Sequence, residues 1–147
     1  MIMMNDYMRR AEQRLYTYND LFAKLQNDRL DLTDLKREGP SDRSKDILYR
    51  SVRGGVRLSN EELWQLKIDR LAKKIDDDDK ELSRLRDAVD SVKDDHYGAC
   101  VRMKYFEGRT DAYIAEELCC DISTARRNRQ RLLRRIAVRL YGAAAME

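Results

Sequence analysis

Between residues 4 and 32 the same stripe returns at alternating steps of four and three: Met4, Met8, Ala11, Leu15, Tyr18, Phe22, Leu25 and Leu32, with Arg29 its one charged member. A second run repeats the pattern through Trp64, Ile68, Leu71, Ile75, Asp78, Leu82, Leu85, Val89 and Val92. An average step of 3.5 puts every member on one face of an α-helix, whereas a half-buried strand needs a period of two. Two such stripes commit a large part of the 147 residues to long helices. One proline and six glycines leave few places to break them, so an all-α fold is expected.

The ends of the stripes are punctuated. Gly39 can take a left-handed cap and Pro40 cannot continue a helix, so the first should stop at "EGP". Residues 39–59, "GPSDRSKDILYRSVRGGVRLS", show little sustained period and are expected to be a linker, with one helical turn around Ile47 to Arg50. Ser59 followed by Glu62 is a capping-box pattern that opens the second helix. Stripes of equal length joined by a linker predict a long N-terminal helical hairpin or coiled coil over residues 1–94. The pattern leaves open whether the helices pair within one chain or between two, and a homodimer through them is the second possibility. Within the second stripe, "DDDDK" (Asp76 to Lys80) points mostly to the solvent side and is expected to be a charged face, with Asp78 tuning register.

Charge narrows the function classes. The chain carries a formal net charge of +3, and the surplus lies in residues 97–147, with 10 Lys and Arg against 6 Asp and Glu. Three cysteines do not make a disulfide scaffold, so free thiols in a reducing compartment are expected. No apolar run approaches the roughly 20 residues of a membrane span, and "MIMMNDYMRR" lacks the apolar core of a signal peptide. The expectation is a cytoplasmic protein with no membrane partner. Adjacent Cys119 and Cys120 point apart at a helix end, and with His96 and Cys100 they form no metal-binding knuckle, so neither metal nor cofactor is expected. The sole histidine has no recognisable nucleophile or phosphate loop near it, and no enzymatic activity is expected.

From Asp95 onward the pattern shortens into three helices. The first ends near Phe106 with Gly108 as its cap, Thr110 caps the second, "DAYIAEEL", and Asp121 caps the third. Ala115 supplies the small residue a tight helix crossing needs, with Ile114, Leu118 and Ala125 around it. Residues 95–147 thus read as a helix-turn-helix module with a basic second helix. Seven arginines between residues 121 and 140 are accompanied by a single acid, Asp121, so no salt-bridged face forms within that helix. Nucleic acid is the partner this composition favours.

The stretch "VRMKYFEGRTDAYIAEELCCDISTARRNRQRLLRRIA" resembles region 4 of bacterial sigma factors, in which a "YFEG" helix end precedes "IAEEL", a short turn and a capped recognition helix. With a heptad-rich N-terminal part before it, the layout resembles phage transcriptional regulators of the RinA and ArpU type, which activate late genes. Cys119 stands where such turns usually have glycine and must take a positive backbone angle or relax the turn. The resemblance implies that Ile122, Ser123, Arg126 and Arg127 reach base edges in the major groove. An arginine fork there donates two hydrogen bonds to guanine. Gln130, Arg131 and Arg134 would meet phosphates farther along, as would Arg109 and Thr110 at the start of the preceding helix. Arg129 falls near the apolar side and is left out. The implied function is a sequence-specific DNA-binding regulator, a late-gene activator working at promoters with RNA polymerase, and residues 95–147 should bind DNA alone. The alternatives are a DNA-packaging component of the small-terminase kind and a sigma-like protein that grips RNA polymerase.

Overall fold

The computed structural model of the chain describes residues 4–40 and 58–146. The expected turn around Ile47 to Arg50 lies outside them. Every regular element among the described residues is helical: α1 (Asp6–Tyr16), α2 (Tyr18–Glu38), α3 (Asn60–Asp90), α4 (Ala99–Tyr105), α5 (Asp111–Glu117) and α6 (Ile122–Tyr141), followed by a 3₁₀ segment, Gly142–Met146. No helix among these residues is long and apolar enough to cross a membrane.

The first stripe, expected as one helix, is broken once. At Thr17 the hydroxyl donates to the carbonyl of Arg14 at 2.9 Å, the local bond by which threonine competes with the helical ladder. The caps fall where the residue types require. Asn5 Oδ1 accepts the Met8 N–H at 2.8 Å, and Ser59 Oγ accepts that of Glu62 at 3.1 Å. Gly39 and Gly108 take φ of 72° and 66°, the left-handed angles that end α2 and α4 with no Cβ to clash.

Two compact units form, Met1–Phe22 with Glu81–Glu147, and Ala23–Lys80. The boundary expected between residues 94 and 95 is therefore not where the structure divides.

In the unit of residues 23–80, the start of α3 meets the end of α2, and residues farther along α3 meet residues earlier in α2. Trp64 Nε1 donates to the Leu35 carbonyl at 2.8 Å, Arg29 meets Asp79 at 3.3 Å, and Lys24 meets Asp78 at 3.1 Å. The two charged interruptions of the stripes, Arg29 and Asp78, thus each find an opposite charge on the facing helix. Asp76 and Asp77 are exposed and pair along α3 with Lys80 and Lys73.

In the other unit α6 is the hub, with α1, α4, α5 and the 3₁₀ segment packed on it. Its core joins Met8, Ala11 and Leu15 of α1 and Leu85, Ala88, Val89 and Val92 to Val101, Ile114, Leu132, Leu133 and Ile136. A Leu or Ile fully withdrawn from water contributes roughly 1.5–3 kcal/mol, so this shared core is why the N-terminal helix belongs with the C-terminal module. Asn5 Nδ2 adds a hydrogen bond to the Ala145 carbonyl at 3.0 Å. The corner from α3 to α4 is closed by Gly98, where a Cβ would stand 2.2 Å from the Val92 carbonyl oxygen. The helix expected to begin near Asp95 begins at Ala99 because residues 91–98 make this corner.

Candidate nucleic-acid interface

The connection from α5 to α6 is tight. Ile114, Ala115 and Ala125 are buried, and the N–H groups of Cys119 and Cys120 donate to the carbonyls of Glu116 and Ala115. Cys119 takes φ of 54°, the positive angle such a turn demands of a residue with a Cβ. Thr110 caps α5, its hydroxyl accepting the Tyr113 N–H at 3.2 Å. Asp121 has the extended backbone of a cap before α6, but its side chain makes no capping bond, which departs from the expectation; its carbonyl accepts the Ala125 N–H instead.

The arginines of α6 differ in what remains free on each. Arg126 is held by one nitrogen: Nε donates to Asp111 Oδ2 at 2.9 Å while the side chain stays 60 % exposed. Arg127 is exposed and has no hydrogen bond or ion pair among the described residues. Arg131 donates from Nη1 and Nη2 to the two oxygens of Asp95, at 3.0 and 2.8 Å, and from Nε to Asn128 Oδ1 at 3.3 Å. Three of its five N–H donors are thus engaged within the protein while the side chain stays 40 % exposed, so a phosphate would have to compete with Asp95 for it. Arg135 also approaches Asp95, at 3.7 Å. Arg134 is exposed, with one nitrogen on the Met146 carbonyl at 2.6 Å. Arg129, left out at the sequence level, is nearly buried and ion-paired with Asp111.

Arg126, Arg129, Arg131 and Arg135 thus have acidic partners after all, but the acids come from other elements. Asp111, the first residue of α5, takes Arg126, Arg129 and also Lys104, 3.2 Å away. Burial opposes ionisation of Asp111, yet the bond from Arg126 and the charges of Arg129 and Lys104 outweigh it and hold the carboxyl at about 2. Asp95 is also lowered to about 2, first by Arg131 and then by the Tyr97 N–H. Beneath them Tyr105 donates to Glu12 at 2.6 Å, and burial pushes its hydroxyl well above the usual range. Both acids were missed by sequence reading, because they lie 15 to 36 positions from the arginines they hold and no helical period connects them.

Ser123, Arg126, Arg127 and Gln130 line one shallow concavity of about 230 Å3. Ile122 stands beside them at the start of α6, 41 % exposed. Gln130 is partly buried, with its Oε1 buried and without a donor among the described residues. Arg131, Arg134 and Arg135 line a second concavity with Val138 and Met146. Arg109 is exposed, its guanidinium 4.5 Å from the Tyr113 ring centroid. Among the described residues no three His, Cys, Asp or Glu side chains are grouped to hold a metal ion. Cys100 is buried and its thiol is pushed up to about 11, chiefly by desolvation, so it is protonated at neutral pH.

No protein-family model, curated protein or solved structure matches the chain.

Proposed function

We propose that the chain is a sequence-specific DNA-binding regulator of transcription that acts at promoters with RNA polymerase, the reading suggested by the sigma-region-4 resemblance. The observation that carries it is the placement of Ser123, Arg126 and Arg127 around one concavity on the exposed side of the first turns of α6, which follows a tight turn. Inserted into the major groove, that end of α6 would present Arg126 and Arg127 to base edges and Ile122 to a thymine methyl. Arg134 and Arg109 flank it as phosphate contacts, a sequence-independent term that weakens with salt.

Titration of single variants against a selected duplex and a random one, at several salt concentrations, tests the reading. Arg126→Ala and Arg127→Ala are expected to lose about 1 to 3 kcal/mol on the selected duplex and to relax its sequence preference. Arg134→Ala is expected to weaken both duplexes alike and to lower the salt slope by about one unit. Equal weakening on both duplexes by all three variants reduces α6 to a basic surface and overturns the regulator reading.

A further inference from the structure

We infer that Asp111 is a positioning residue for DNA sequence recognition, anchoring Arg126 by Nε so that its Nη1/Nη2 edge faces a guanine. The inference rests on the DNA-reading role proposed above. A guanidinium can address guanine O6 and N7 through its two terminal nitrogens or through Nε and one of them. With Nε on Asp111 Oδ2 at 2.9 Å, the terminal edge is the one left to the solvent. The anchor itself cannot follow the arginine outward. Asp111 is 15 % exposed, its other oxygen is taken by Arg129 and Lys104, and its backbone sits in the first turn of α5 behind the Thr110 cap. Arg126 therefore surrenders much of its rotamer freedom before DNA arrives, which favours the one geometry that reads a base. Arg127, the next residue, has no such anchor among the described residues. The same carboxylate offsets three cations close to the DNA-facing side, so it restrains the purely electrostatic attraction that random DNA exploits.

The test uses the full chain, a duplex selected from a random pool by the wild type, and a scrambled duplex of the same composition. Asp111→Asn is expected to bind the selected duplex about 10-fold more weakly while its affinity for the scrambled duplex holds or rises. In an Arg126→Ala background the same change should lower the ratio no further. Because Asp111→Asn leaves the Arg129 charge without its partner, the comparison is repeated between Asp111→Asn with Arg129→Gln and Arg129→Gln alone. An unchanged ratio in the Asp111 variants, with the ratio reduced in Arg126→Ala, overturns the positioning role and leaves the DNA reading standing. A pool that yields no preferred duplex, or an Arg126→Ala protein with an unaltered ratio, overturns the DNA reading itself. Equal losses on both duplexes, or failure of both Asp111 variants to fold, make Asp111 a folding residue and overturn the positioning inference.

Discussion

An arginine's role on α6 follows from which of its nitrogens the protein has already occupied. Arg126 has one nitrogen engaged and Arg131 has all three, although the two side chains are five positions apart on the same helix. Arg131→Ala is accordingly expected to leave affinity for selected and random DNA within about twofold, with no change in salt slope. It should instead lower stability by about 1 kcal/mol, the scale of a part-exposed charged hydrogen bond. The sign of the pH dependence follows from Asp95. Its carboxyl ionises at about 2 in the folded chain against 3.8 ordinarily, so the pair's contribution is complete above about pH 5 and disappears as the pH falls toward 2. Urea unfolding of wild type and variant at pH 7 and pH 3 checks both parts: the gap between them should shrink at the lower pH. A loss of DNA affinity with unchanged stability would place Arg131 in the phosphate-contacting group.

Helices of this chain are placed by their corners as much as by their faces. At the corner between α3 and α4, Gly98 has ordinary helical angles, so its requirement is for space: the Val92 carbonyl lies where a Cβ would go. Gly98→Ala is expected to cost about 1–3 kcal/mol as the corner shifts, read as a lower urea midpoint with little change in helix content by circular dichroism. An unchanged midpoint would mean that the corner relaxes freely. The α5–α6 corner presents the opposite case. There the angle at Cys119 suits glycine, and the sequence supplies a residue with a Cβ. That the two corners are solved differently is invisible to a pattern of turn residues, which reports that a glycine is present but not whether space or angle demands it.

The compact unit that contains α6 is discontinuous along the chain, and this changes what a fragment can do. Residues 95–147 on their own lack Met8, Ala11, Leu15, Leu85, Ala88, Val89 and Val92, all buried in the same core as Leu132, Leu133 and Ile136. The stand-alone DNA-binding fragment expected from the sequence is therefore replaced by the opposite expectation. A chain of residues 95–147 should show no cooperative thermal transition, and its residual DNA binding should not discriminate between selected and random duplexes. A sharp transition with retained discrimination would show that the core closes without α1 and α3.

The helical class, the positions of most helix ends and the basic character of α6 were legible from residue order, because each depends on partners within about one helical turn. The step of 3.5 marks a buried face, Ser59 and Thr110 meet N–H groups three residues on, and Gly39 and Gly108 end helices through their own angles. The resemblance to sigma region 4 is what brought Ser123, Arg126 and Arg127 forward as a group. Packing decided the rest. An apolar stripe states that a face must be covered but not by which other stripe, so nothing in the spacing of Met8, Ala11 and Leu15 tied them to Leu132 and Ile136. Nor does a count of charges along one helix say which arginines will meet an acid. Asp95 and Asp111 reach theirs only because α6 lies at the centre of its unit, where elements far apart in sequence come within hydrogen-bonding distance.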